Sequence, residues 1–191
     1  MRPLTFDDFS GDAPHVARAM IGATLLVDSV GGIIVETEAY DTGDPASHCH
    51  PGETPRNRAM FGPPGHAYVY RSYGVHWCLN FVCREADHGA GVLIRALQPT
   101  HGLAVMRERR GLLNEGADDR LLCAGPGRVG QALGITQQHY GLPLTAPPFA
   151  VLAAPVGIDV LQGTRIGISK AVALPWRFGL AGSPYLSRRF K

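Results

Sequence analysis

The stretch IIVETEAYDTGDPASH, residues 33–48, decides how the rest of the chain is read. It begins apolar, passes through Glu36, Thr37, Glu38, Ala39 and Tyr40, breaks into turn residues and ends on His48. A strand points alternate side chains to opposite faces, so Glu36, Glu38 and Tyr40 share one face. If that face is simply buried, two carboxylates carry a large desolvation cost unless they are paired. If it walls a cleft, one of them can serve as a tuned acid or base.

Working outward, Asp12 to Ile21 reads as a helix, with Asp12 as cap, Pro14 in the first turn and Gly22 after its end. Strands are expected over 24–30 and 33–40, joined at Gly31-Gly32, a hairpin signal. Residues 41–65 are rich in Pro, Gly, Asp and Thr and form a long loop, a length that in compact domains is often functional. HAYVYRSYGVHWCLNFV, residues 66–82, reads as two strands about a tight turn at 72–74, with Tyr68 and Tyr70 on one face. Gly91 to Leu97 is a further strand carrying Arg95. Pro99 to Arg110 is expected as an amphipathic helix closed by Gly111, and Gly125-Pro126-Gly127 opens a short helix to Leu133. Strands are placed near 149–154 and 164–169. The sum is an α+β domain, mixed and mainly antiparallel. No strand, glycine loop and helix follow one another as a dinucleotide or P-loop site requires.

The chain has 191 residues, enough for one domain with a real core, and 45% of them are hydrophobic. No apolar run reaches the ~18 residues of a membrane span. The opening MRPLTFDDFSGDAPH lacks an apolar core and is not read as a signal peptide. Cys49, Cys78, Cys83 and Cys123 make no C-x-x-C pair and read as free thiols in a reducing compartment. His48-Cys49-His50 has the wrong spacing for a zinc knuckle, and no metal or organic cofactor is expected.

The net charge of +2 does not by itself imply nucleic acid. Of 18 basic residues only Lys170 and Lys191 are lysines, and arginine's planar fork suits phosphate. Arg56, Arg58 and Arg71 lie near the aromatic segment. Arg107, Arg109 and Arg110 form a second group, open to reading as a solvated helix face or as contacts.

Tyr40 and Tyr70 are flat rings on strands that could face one another, with Glu38 beside the first and His48 closing the loop after it. Aromatic walls about a carboxylate suit a planar heterocycle held near an activated water. Ordinary half-buried strand tyrosines are the alternative. Tyr73 stands at a hairpin tip, where an apolar ring is unfavourable unless covered; wedging into a base stack and packing on a neighbouring loop both satisfy it.

Longer motifs add to this reading. VETEAY (35–40), His48, TPRNRAMF (54–61), PGHAYVYRSYG (64–74), Asn80, LIRALQP (93–99), CAGP (123–126) and GSPYLS (182–187) closely resemble the alkyladenine, or methylpurine, DNA glycosylase family. The likeness runs with gaps from about Ala17 to Ser187. It implies one DNA glycosylase domain over residues 1–191, with a curved sheet, a protruding β-hairpin and flanking helices. It implies that Glu38 is the general base for water, and that Arg95 helps hold that water and the target nucleotide's backbone. Tyr40, His48 and Tyr70 would sandwich the flipped base, and Asn80 would disfavour guanine's exocyclic amine at the pocket floor. Tyr73 would fill the gap left in the duplex, Met60 would be a second side chain inserted near the lesion, and Arg128 would meet phosphate.

The expected partner is double-stranded DNA carrying damaged purines (3-methyladenine, 7-methylguanine, hypoxanthine or ethenoadenine). The protein is expected to act as a monomer in a bacterial cytoplasm, at the nucleoid and away from membranes. Glycosylases that also cut the strand need an amine for a Schiff base. With no lysine before Lys170, the chain is expected to be monofunctional and to leave an intact abasic site. Glu36 is read as structural, paired with an arginine. A non-catalytic damaged-DNA-binding module and a metal-dependent hydrolase using His48 and His50 are the competing readings. The loop 48–54, with Cys49 and His50, Arg71 in the hairpin, and the region 134–150 depart from the family pattern, which leaves the lesion range open.

Overall fold

A computed structural model describes residues 1–114 and 116–190. In chain order it contains α1 (Ala13–Ala19), β1 (Thr24–Val27), β2 (Val30–Asp41), β3 (Ala67–Ser72), β4 (His76–Val82) and β5 (Ala90–His101). Then come α2 (Leu103–Arg110), α3 (Arg120–Cys123), α4 (Pro126–Leu133), β6 (Phe149–Leu152), β7 (Val160–Gly163) and β8 (Arg177–Leu180). Short 3-10 turns lie at Phe6–Phe9, Arg58–Phe61 and Gln137–His139. The strands form one curled antiparallel sheet in the order β3-β4-β5-β2-β1-β6. At β2 the sheet forks: residues 30–33 pair with β1 and residues 36–38 with β8, which also pairs with β7. This is the α+β fold with a mainly antiparallel curved sheet and projecting hairpin that the sequence indicates.

The VETEAY strand is the centre of this sheet and is buried along nearly all of its length. One side of the sheet carries the main core, including Phe9, Val16, Leu25, Ile34, Phe81 and Ile94. Helix α1 lies against β2 and β5, and α4 against β4 and β5. Asp12 caps α1 as expected, accepting the His15 N–H at 2.8 Å.

Three local expectations are corrected. The first turn is not at Gly31-Gly32 but at Asp28-Ser29, both with positive φ (49° and 65°), the two-residue turn that matches strand twist. The glycines lie inside β2 because a Cβ on either would fall about 2 Å from a backbone carbonyl of a neighbouring strand, Leu25 O or Gln98 O. Pro99 does not open a helix: β5 continues to His101, where Pro99 pairs with Gly32, and α2 begins only after Gly102 at φ 68°. Residues 164–169 form no strand. Their polar groups are taken by the carboxylates of the site, and the strands fall on either side, at β7 and β8. Helix α3 has no counterpart in the sequence reading.

The arginines at the end of α2 serve the fold. Arg107 pairs with Asp119 at 2.6 Å, Arg109 donates to the Ala132 carbonyl at 3.1 Å, and Arg110 donates to Gln131. These contacts tie α2 to α4 and to the start of α3. Among the described residues no helix is long and apolar enough to cross a membrane.

Candidate active site

The two carboxylates of VETEAY are both fully buried, and a shared arginine joins them. Val35 on β2 and Arg95 on β5 have no partner in the strand register, which shifts on either side of Glu36. Such irregularities re-aim side chains. Here Arg95 meets both carboxylates: Nε donates to Glu36 Oε1 at 3.1 Å and Nη1 to Glu38 Oε2 at 3.2 Å. Burial works against the Arg95 charge, but the Glu38 and Glu36 carboxylates outweigh it and hold the guanidinium protonated.

Beyond Arg95 the two acids have different surroundings. Glu36 accepts from Arg177 Nε at 2.8 Å and from the Ser187 N–H and Oγ at 2.5 and 2.8 Å. It is closed off behind the C-terminal segment. Glu38 accepts the Tyr40 hydroxyl on Oε2 at 2.8 Å and the Ile166 N–H on Oε1 at 2.7 Å. One lone-pair direction on Oε1 is left for a further donor. Burial, and next the Glu38 carboxylate, push the Tyr40 phenol well above its ordinary range, so it remains a donor.

Tyr40, Arg95 and Ile166, the partners of the Glu38 carboxylate among the described residues, line a cleft of about 360 Å³. Its other walls include His48, Tyr68, Tyr70 and Asn80. The His48 and Tyr70 rings meet edge to face at 4.5 Å, and Tyr68 stacks on Tyr70 at 5.7 Å. His48 Nδ1 lies 3.0 Å from the Tyr68 hydroxyl, and Asn57 Nδ2 donates to the His48 carbonyl at 2.8 Å. Burial, helped by Arg56, lowers the His48 pKa from 6.5, so the ring is neutral at neutral pH. Asn80 is buried on β4 and donates its amide to the Tyr68 carbonyl at 3.3 Å. The structure thus brings Glu38, Arg95, Tyr40, His48, Tyr70 and Asn80 to one place.

Tyr73 stands apart from this group on the β3–β4 tip. Its side chain also reaches the cleft rim, yet the residue is 93% exposed. Its φ of 51° is a left-handed conformation that costs a non-glycine residue, and Gly74 beside it also has positive φ. Val75, 65% exposed, is the second apolar side chain on this tip.

Met60 stands in the wall of the cleft and not on an exposed tip. It is 3% exposed, packed in a small cluster with Cys49, Tyr68 and Val82, its sulfur 3.4 Å from Cys49 Sγ. A thioether so enclosed walls the cleft and cannot project into a duplex without leaving its packing. Arg128 is exposed on α4, two residues from the cleft-lining Pro126, with no hydrogen-bond or ion-pair partner among the described residues.

His48, Cys49 and His50 diverge: into the cleft, toward Met60, and toward the Thr42 carbonyl at 3.2 Å. Among the described residues no three His, Cys, Asp or Glu side chains are placed to hold a metal ion. The four cysteines are buried free thiols, and burial raises Cys49 to about 12. Lys170 is exposed two residues beyond the cleft-lining Ile168, nearer the site than its place in the sequence suggests; Lys191 lies outside the described residues.

The sequence reading missed Tyr68 and Ile166–Ile168 as walls of the cleft, and the buried pair Asp44–Arg165. The alternation of YVY gave a signal for Tyr68. The contacts of segment 164–169 gave none.

Chemically, the cleft offers flat apolar walls for a planar group, a carboxylate directly behind them and a cation beside that carboxylate. The methylpurine-DNA glycosylase family model matches residues 7–184. A relative from Nitrosospira multiformis is 64% identical over 184 residues, 96% of this chain and 93% of that protein. One from Nitrobacter winogradskyi is 60% identical, spanning 100% of this chain and 89% of the other. One from Bradyrhizobium diazoefficiens is 56% identical, spanning 99% and 92%. All three carry the name "Putative 3-methyladenine DNA glycosylase".

Proposed function

Because the chain belongs to the methylpurine-DNA glycosylase family, a family of base excision repair, we propose that it flips a damaged purine out of duplex DNA and hydrolyses its N-glycosidic bond with a water activated by Glu38. The observation that carries this reading is the buried Glu38 carboxylate, bonded to three residues of a ring-walled cleft that opens beside an exposed hairpin tyrosine.

A base inside the stack hides its glycosidic bond, and extruding it costs a few kcal/mol. Stacking on aromatic side chains returns about 1–3 kcal/mol per base. Tyr40 and the His48–Tyr70 pair supply the rings, and Tyr73 fills the space the base leaves. A lesion that pairs poorly costs less to extrude, which biases the equilibrium toward damage.

As the C1′–N bond breaks, its electron pair leaves with the base and positive charge grows on the sugar, the situation in glycoside hydrolysis. Glu38 stabilises that charge and takes a proton from the water as its oxygen bonds to C1′. Arg95 and Tyr40 hold the carboxylate, and Asn80 at the cleft wall disfavours guanine's exocyclic amine. Alkylated purines leave as neutral bases because they start as cations; hypoxanthine needs a proton as it departs. Arg128 meets a phosphate. The protein acts as a monomer, since carboxylate, rings and wedge all come from one chain; a DNA substrate would place it at the nucleoid of a bacterial cytoplasm.

The test is excision from duplexes carrying 3-methyladenine, hypoxanthine or 1,N6-ethenoadenine, with EDTA present and hot alkali afterwards. Strand breaks should appear only after alkali. A borohydride-trapped adduct, with Lys170 the amine to suspect, would overturn the monofunctional reading. Tight lesion binding without base release would favour the non-catalytic module.

A further inference from the structure

The Glu38 network rests on a second ion pair that no step above uses. Arg165 and Asp44 are both 0% exposed at their side chains. Arg165 bonds both Asp44 oxygens, Nη1 to Oδ2 and Nη2 to Oδ1 at 3.0 Å, and Nη1 also donates to the Ala39 carbonyl at 2.9 Å. Its guanidinium lies over the Tyr40 ring, 4.6 Å from the centroid, and over Trp176 at 5.4 Å. Asp44 belongs to the loop that continues to the cleft-lining Ala46 and His48. Arg165 immediately precedes Ile166, Gly167 and Ile168, which also line the cleft.

Resting on the glycosylase reading, we propose that Arg165 and Asp44 are positioning residues for glycosidic hydrolysis: their pair clamps these two cleft-lining segments together and presents the Tyr40 hydroxyl and the Ile166 N–H to Glu38. Both groups bond the carboxylate directly, at 2.8 and 2.7 Å, so the clamp fixes the direction of the lone pair left on Oε1. The same guanidinium covers one face of Tyr40, which leaves the opposite face for the flipped base. A lysine at 165 cannot replace it, because an ammonium has no planar fork to span a carboxylate while lying flat on a ring.

Removing one charge alone would strand the other in the interior, so the decisive variant is the doubly neutral Asp44→Asn/Arg165→Gln, with Arg165→Lys beside it. Three quantities are read on the full chain: the unfolding midpoint, binding to an abasic-site duplex, and the single-turnover rate on an ethenoadenine duplex at saturating enzyme. The double variant should keep wild-type abasic-site binding and lose on the order of 10²-fold in single-turnover rate, the usual consequence of a reacting group displaced by about 1 Å. Arg165→Lys should show the same split. Two results overturn the proposal: a double-variant rate within about twofold of wild type, or rate, binding and midpoint falling together. Wild type is the control for the underlying reading. If it releases no base from duplexes carrying 3-methyladenine, hypoxanthine or ethenoadenine, that reading fails; if it releases base and the variants match it on the lesion it cleaves, only the clamp fails.

Discussion

Glu36→Gln separates the two carboxylates of VETEAY more sharply than any other single change. Glu36 is the only carboxylate bonded to Arg177 among the described residues, and Arg177 is otherwise held by the Arg188 carbonyl and the Phe190 ring. Neutralising Glu36 leaves Arg177 buried without an opposite charge, while Arg95 keeps Glu38. Removing one member of a buried pair costs about 3–5 kcal/mol, a large share of the stability of a typical domain. At about 2–4 °C per kcal/mol for a chain of this size, the unfolding midpoint should fall by about 6–20 °C. The assay is thermal unfolding beside single-turnover excision well below the variant's midpoint. The variant should unfold early and, while folded, retain most of its rate. An unchanged midpoint with excision abolished would instead make Glu36 a reacting group.

Tyr73→Ala should leave the unfolding midpoint unchanged, since the ring is 93% exposed, and lower single-turnover excision about 5- to 150-fold, the equivalent of one lost stacking contact. A drop in midpoint with excision intact would make the ring structural. His48 sets a pH dependence. Burial lowers its folded pKa, so above about pH 6.5 it is neutral folded or unfolded and contributes nothing, while below that the unfolded chain binds a proton the folded site resists. Stability should therefore fall as the pH drops through 6.5 toward the folded pKa, and His48→Gln should flatten that slope in thermal unfolding scans; parallel slopes would contradict it.

Period-two reading placed Glu36, Glu38 and Tyr40 together, and Tyr68 with Tyr70, because strand alternation follows from backbone geometry alone. It could not say which carboxylate serves the cleft. That difference comes from Arg177 and Ser187 on one side and Ile166 on the other, more than a hundred residues away. The resemblance named Glu38. Gly31-Gly32 misled because glycine serves tight turns and close strand approach alike, and only the partner strands distinguish the two. TRIGIS reads as a strand by alternation, yet Arg165 is drawn to Asp44 and Ile166 to Glu38. Met60 lies in a motif that matches the family, but sequence carries no record of the Cys49 and Tyr68 packing that encloses it.

The proposed mechanism turns on water activation by Glu38. Its direct test is single-turnover base release from an ethenoadenine duplex by wild type and Glu38→Gln, with abasic-site binding measured in parallel. Glutamine keeps the shape and an acceptor oxygen but can neither take a proton nor offset the charge growing on the sugar. Glu38→Gln should bind the abasic duplex as wild type does and release no base on the wild-type timescale. Release at a rate near wild type would contradict it and move the water to another group in the cleft.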